Sequence, residues 1–519
     1  MVRTAVDTLR SLRLPLLTAA ILAVVTAVPY AAGYLAQPPG QVFMGFFYLG
    51  DDANTYLAKM REGWEGSWAW TNRYTTEASP AAYLFMFWIL LGHLAWLTHL
   101  PLLVSFHLAR AAAAFALLLA AWFFFQRFLP EGGARRFAFL FCAFGLGCGF
   151  LIQALGHPVV FGNQTDTLDW RMPELSVAYS VLALPHFAWS AAFQAAGIVL
   201  TLRAAERGSL GLGLLAGISW LGQASIHPQM PILMAGALGA ALLLRPVTPR
   251  GYAAAALAFL VPAPYIAYSY LAFVGNPEVQ RWTFHSKNAL PPEGVSFLFA
   301  LLPQLLLAVT GLPGAVRRRS REDLFLLAWL LLLVVILYFP NPAGDLRRRF
   351  LDGIYLPLQA LGARGLYEAV LPRLSGAPRN LVPFAYASFS TVGTWFLVLA
   401  PLLLATSPLY VTSSAEYGGL RWLGGQPAGV VLSSPKVGLF VPAYSPDTVY
   451  VGHYDETFGY YDKAQRAYRL LTGLEDVAAF ASSNHVRYVV WSDEFGGSPP
   501  SGLGEPAYDT STFKIYRLY

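Results

Sequence analysis

Residues 102–128 read LLVSFHLARAAAAFALLLAAWFFFQRF, with Arg110 and Arg127 as the only charges. A membrane-spanning helix needs about 20 consecutive, mainly apolar residues, and this run exceeds that length. Runs of the same kind recur on both sides of it, at 14–36, 80–98, 137–156, 185–204, 209–227, 229–245, 250–274, 294–314, 323–339, 350–371 and 381–406. The first is too long for a signal-peptide core and is followed by further spans, so it reads as a retained helix. The pattern predicts an all-α polytopic membrane bundle of about 11–13 transmembrane helices.

Composition points the same way. The chain has 519 residues, 56% hydrophobic and 12% charged, with net charge +6. Soluble domains carry about 25% charged residues, so this chain lacks the charge to cover itself in water. Its basic residues fall in short clusters between apolar runs, at Arg135-Arg136, 203–207, 245–250 and 317–321. That is the distribution of the positive-inside rule, not a nucleic-acid-binding stripe. Cys142 and Cys148 lie inside one apolar run and read as small core residues, with no disulfide framework or zinc site. Only five of the basic residues are Lys, the usage of a GC-rich, bacterial coding sequence.

Three longer polar connections interrupt the bundle, at 37–79, 157–184 and 275–293. Placing the cluster 317–321 in the cytoplasm puts 275–293 and 340–349 outside, 372–380 inside, and everything after the last span outside. Extending that parity to the N-terminus conflicts with Arg3, Arg10 and Arg13, which favour a cytoplasmic start. The Gly-rich stretch Gly145–Gly149 is the candidate for a broken or re-entrant segment that removes one crossing. The N-terminus is then inside and 37–79 outside.

From about residue 408 the pattern changes. Residues 430–433, 448–452, 487–491 and 513–518 read as short strands, and 415–423, 462–471 and 475–482 as helices. Strands alternating with helices predict a small C-terminal α/β domain, 408–519, after a transmembrane domain, 1–407.

Candidate chemistry gathers in the connections. The first carries Asp51 and Asp52 after an aromatic run, then Tyr56, Arg73 and Glu77 in a stretch rich in Trp and Tyr. Such a stretch suits the membrane interface. An Asp there serves as a helix cap, or as a general base whose pKa desolvation raises. The second connection carries His157, Asp166, Asp169, Arg171 and Glu174, and His186 and His227 stand at the ends of neighbouring runs. Polar residues at the mouth of a bundle are functional candidates, and either His can hydrogen-bond a phosphate or an acceptor. Arg347, Arg348 and Arg349 fall on the predicted outer side, where a guanidinium fork matches a lipid phosphate, with Asp352 to orient it. Arg73 is a further cation that can take a phosphate. The loop 282–293, with His285 and Lys287, reads as interfacial or as a cover for the site.

The acidic pair after the first helix, followed by the interfacial Tyr56-Leu-Ala-Lys-Met-Arg-Glu-Gly63, resembles the GT-C membrane glycosyltransferases, such as protein O-mannosyltransferases and the aminoarabinose transferases of lipid A. The tail Val431-Leu-Ser-Ser, Val441-Pro-Ala-Tyr, Val449-Tyr-Val-Gly-His453 and Glu456-Thr457 is similar to that of bacterial members. The resemblance implies inverting transfer from a polyprenyl-phosphate sugar to a lipid, glycan or protein acceptor at the outer face of the cell (inner) membrane. It implies Asp52, four residues before Tyr56, as base, with Asp51 close behind. Glu77 then orients the acceptor or binds Mg²⁺ or Mn²⁺ in members that need a metal. A late Arg, Arg348 or Arg349, stabilises the leaving phosphate, and Glu174, Tyr56 and Asp352 act in support. No cofactor is implied with certainty, and the residues show no metal-ligand spacing. Membrane lipids are the surroundings, and nucleic acid is no partner. Two other classes stay open: a transporter or lipid flippase, which would place acids near the midplane and show inverted repeats, and a scaffold whose α/β domain binds a partner.

Overall fold

Long apolar runs become long helices wherever Gly and Pro do not cut them. In the computed structural model, which describes residues 2–275, 293–339, 344–407 and 410–519, five helices are long and apolar enough to cross a membrane. They are Leu12–Leu35, Leu102–Phe128, Pro185–Arg207, Pro249–Val274 and Ala377–Leu404. The pair Gly294–Ala300 and Leu302–Arg318, bent by 84°, makes a sixth if it is one span. Pro303 explains the corner, because a Pro is at home in a first helical turn and breaks an interior. Met86–Thr98, Leu210–Ala224 and Met230–Leu244 are apolar but shorter. The protein is a multi-pass helical membrane protein with a small C-terminal sheet. Its clear spans, among the described residues, are fewer than the apolar runs because several runs are interrupted.

The run at 137–156 shows how. The helix Gly133–Phe144 stops after 12 residues, and Gly145 is extended. The freed amides of Leu146 and Cys148 donate to Ser390 O at 2.8 Å and Phe299 O at 3.1 Å. Gly147 lies so close to this neighbour that a Cβ would meet Ala300 O at 2.1 Å. The chain then re-enters a helix at Gly149, whose amide donates to the buried Asp169 carboxylate at 3.0 Å. Irregular backbone of this kind persists at membrane depth only when protein covers it.

The chain divides into two compact units. One contains Met1–Pro29, His107–Tyr270 and the helices up to Leu402. Its large buried rings include Trp220, Trp329 and Phe124. Its basic cluster is not a solvated fringe. Arg318 and Arg364 both pair with the fully buried Asp323, and Arg321 and Arg127 with Glu206.

The other unit joins Tyr30–Phe106 to Leu403–Tyr519. Its sheet has five strands in the order Thr448–Val449, Val430–Leu432, Val486–Ser492, Phe513–Arg517, Tyr508–Asp509; the first three are parallel and the rest antiparallel. Both faces are covered, which is why residues 488–491 are apolar without alternation. Val489 and Trp491 face one core with Leu470 and Phe480, while Tyr488 and Val490 face another with Leu420 and Val441. Met44, Ala58 and Tyr74 of the first connection belong to that second core. The connection also extends the hydrogen bonding. Val449 N donates to Arg73 O at 2.9 Å, and Gln41–Phe43 pairs antiparallel with Val411–Ser413.

The helix Gly50–Trp64, which carries the acidic pair, rests on Met86–Thr98 through two glycines. A Cβ on Gly63 would meet Ile89 O at 2.1 Å, and one on Gly92 would meet Met60 O at 1.9 Å. Only backbone-to-backbone contact fits there.

Candidate functional site

The helix Gly50–Trp64 starts from Leu49, held at φ 49° with no side-chain cap. Asp51 and Asp52 therefore occupy the first turn, where the helix dipole favours negative charge, and neither is the cap itself. Burial pushes the Asp51 carboxyl above its ordinary range; His453 offsets part of this and Asp52 adds to it. Asp51 and His453 line a cleft of about 560 Å³ together with residues of the C-terminal sheet and its helices.

His453 was legible in sequence only as part of a tail motif, and the structure gives it a place. It is 3% exposed, and its Nε2 faces Asp52 Oδ1 at 3.6 Å, an ion-pair distance longer than a hydrogen bond. Asp455 N donates to its Nδ1 at 3.2 Å, so in the neutral ring the proton sits on Nε2, toward Asp52. Burial opposes protonation of this ring, but Asp52, Glu456 and Asp455 outweigh it, so its pKa lies above the usual 6.5.

The other predicted residues of the first connection have structural partners. Tyr56 stacks on Trp88, rings 4.4 Å apart at 13°. Glu77 accepts from Lys463 Nζ at 2.6 Å and from Thr75. Burial raises the Glu77 carboxyl, but these bonds hold it below its ordinary value. Arg73 pairs with Glu65 at 2.7 Å and approaches Glu62 at 4.0 Å. Burial pushes Glu62 up to about 7 despite Arg73 and two hydrogen bonds from Thr71. Lys59, 2% exposed, meets Glu456 at 2.6 Å, and Glu456 O accepts from Asn72. None of these long-range partners follows from sequence spacing.

The remaining predicted residues cluster in the other unit. His227 Nδ1 lies 3.0 Å from Asp352 Oδ2 and 3.2 Å from Ser190 Oγ, and the His186 ring is 5.8 Å from the His227 ring. Arg348 Nε donates to Glu174 Oε1 at 2.7 Å. Burial pushes the Glu174 carboxyl up, but Arg348 and then Arg349 hold it below its ordinary range. Asp352 Oδ1 and Glu174 Oε2 are buried without a hydrogen-bond partner among the described residues. Arg347 donates to Leu337 O at 3.2 Å, and Arg349 O accepts from Gln229. In the second connection Arg171 pairs with Asp166, and burial raises Asp169 to about 7. The loop 282–292, with His285 and Lys287, lies outside the described residues. Among the described residues no group of three His, Cys, Asp or Glu is arranged to hold a metal ion. Glu77, the one metal candidate, is held by Lys463 and Thr75, so these residues do not fit a metal centre.

No protein-family model and no curated protein matches the sequence. Solved structures do match the fold. The archaeal oligosaccharyltransferase AglB from Archaeoglobus fulgidus, solved with an inhibitory peptide and a dolichol-phosphate, gives a TM-score of 0.54 at 14% identity, covering 93% of this chain and 70% of that one. Arabinofuranosyltransferase AftD from Mycobacteria gives 0.54 at 13% identity over 98% of this chain and 40% of its own. ArnT from Cupriavidus metallidurans gives 0.50 at 12% identity over 96% and 97%. All three are GT-C glycosyltransferases. The chain has the GT-C fold. At these identities the GT-C likeness is one of architecture, and what the chain does must be argued from its own residues.

Proposed function

We propose that the protein is a membrane glycosyltransferase that moves a sugar from a polyprenyl-phosphate donor to an extracytoplasmic acceptor with inversion. The observation that carries this reading is two adjacent carboxylates at an open cleft: Asp51 lines it, and Asp52 is faced at 3.6 Å by the buried imidazole of His453, another lining residue. Asp52 removes the proton of an acceptor hydroxyl or amine. The acceptor atom attacks the anomeric carbon opposite the departing phosphate, the carbon–oxygen bond to that phosphate breaks, and the polyprenyl phosphate leaves with the electron pair. Arg348, held by Glu174, is the proposed phosphate contact, with Arg347, Arg349, His186 and His227 in support and Asp352 orienting His227. Desolvation raises the pKa of Asp51, which supports a base role for this acidic pair, with Asp51 close behind Asp52 as the base. AglB was solved with a dolichol-phosphate, which supports a polyprenyl-phosphate donor.

The membrane is the cell (inner) membrane in this reading, with 37–79 and 408–519 outside. The break at Gly145 supports that orientation: with the run at 137–156 not counted as a crossing, the loop charges at both ends agree. No step is routed through a metal.

The test is turnover by the purified chain in nanodiscs supplied with polyprenyl-phosphate sugars and no ion gradient. Asp52→Asn is expected to lower kcat by about 10²–10⁴-fold, the usual contribution of a general base, with expression unchanged. Wild-type activity in Asp52→Asn removes the proposed base, and substrate movement only under a gradient favours the transporter class.

A further inference from the structure

The cleft beside the acidic pair has a lining that the transfer step alone does not explain. Tyr454, Tyr460, Tyr468 and Phe495 stand around it, and Tyr454 and Tyr468 are 42% and 54% exposed. Tyr454 lies flat on the His453 ring, 4.6 Å away at 26°. Phe495 packs against Tyr468 at 6.1 Å, so those rings are held in place rather than loose in water. Between the rings stand Glu494 and Lys436, each anchored, Glu494 by Ser492 Oγ at 2.9 Å and Lys436 near Glu416 at 3.4 Å. His453 also lines this space, with its buried Nε2 turned toward Asp52 at 3.6 Å.

Three ligand classes can be weighed against that lining. An anionic lipid or phosphate meets the carboxylates Asp51 and Glu494, while the two cationic groups, Lys436 and His453, already face Glu416 and Asp52, so charge disfavours it. An extended peptide wants a free strand edge to pair with. The nearby edge at Thr448–Val449 is taken, because Val449 N already donates to Arg73 O. A saccharide suits what remains. Its C–H faces stack on aromatic rings, and its hydroxyls, donor and acceptor at once, satisfy carboxylate, ammonium and imidazole groups together. The volume, about 560 Å³, falls among small-ligand sites.

We infer that this cleft is a saccharide subsite that holds the glycan acceptor, with Tyr454 and Tyr468 as its stacking platform and the acceptor hydroxyl directed to the carboxylate pair. The inference rests on the proposed transferase reading and narrows its acceptor to a glycan. The full chain in nanodiscs is mixed with mannotriose, arabinotriose or maltotriose, and separately with a neutral hexapeptide, and saturation transfer from protein to ligand is read by NMR. At least one trisaccharide gives a signal, and Tyr454→Ala/Tyr468→Ala reduces it at least fivefold. Tyr461→Ala, a ring 80% exposed and outside the cleft lining, leaves it unchanged. Absence of signal from all three sugars, a signal from the hexapeptide alone, or a signal indifferent to the double variant overturns the subsite. Because binding is read apart from turnover, a bound sugar with no transfer sinks the transferase reading and leaves the subsite standing.

Discussion

His453 gives one ring nitrogen to the Asp455 amide and turns the other toward Asp52. Its raised pKa places a positive or strongly polarised group beside two acids, and that group offsets part of the burial effect on Asp51. The direction of a pH effect follows. A base works only when ionised, so the acid limb of the rate profile tracks the carboxylate pair. Replacing His453 with Gln removes the one influence that lowers Asp51. The limb is therefore expected to move to higher pH, with activity lost at its acid end and regained as pH rises. A pH–rate profile of kcat/KM checks this, and a uniform loss at every pH would assign His453 a packing role only. The sequence showed the acids because two adjacent Asp after a helix are conspicuous. It did not show the imidazole, since nothing in the 400 intervening positions ties residue 52 to residue 453.

At the scale of elements, the site helix Gly50–Trp64 is positioned by two kinds of contact. Its glycine contact tolerates no side chain. Gly92→Ala drives a Cβ into Met60 O and is expected to destabilise the fold by about 1–3 kcal/mol, as overpacked cores do. Gly211→Ala, where a Cβ meets nothing, is the control. Thermal unfolding in detergent reads both. The second contact is the Lys59–Glu456 pair, buried on both sides. Lys59→Met strands a carboxylate and is expected to cost about 3–5 kcal/mol, while adding Glu456→Leu recovers most of the loss. A double-mutant cycle with no coupling would show that the pair does not join these elements.

Elements with one clear period were legible: the strands at 430, 448, 487 and 513, and the helices at 415, 462 and 475, all appear within a few residues of their reading. The helix Pro435–Tyr444 was not legible. Its cap, Ser434 accepting from Val437 N with Pro435 after it, is a start signal, but Gly438, Pro442 and an apolar run hide the helical period. The broken segment at Gly145 was legible because glycines at 145, 147 and 149 cannot sustain a helix cheaply.

For the whole molecule, orientation is the open quantity that a label can read. Cys142 and Cys148 are buried, so an introduced cysteine reports with little background. Tyr461→Cys is expected to react with a membrane-impermeant maleimide in intact cells, and Arg317→Cys only after permeabilisation. The reverse pattern would invert the proposed topology. The linear reading made the C-terminal residues a separate module, and strand and helix periods support no more than that. The structure ties the first connection to them through a shared core and paired backbone, a relation that only long-range packing can specify.

That tie sets an order of events during synthesis. Lys59 leaves the ribosome early, and its counter-ion lies 397 residues further along. Until those residues arrive, the segment bearing the acids has a buried-type lysine with nothing to neutralise it and a tyrosine, Tyr74, whose hydroxyl acceptor at Leu439 does not yet exist. The part of the chain made near the start is thus completed near the finish, and a polypeptide clipped ahead of residue 439 would leave Tyr74, Asp52 and Lys59 without Leu439, His453 and Glu456.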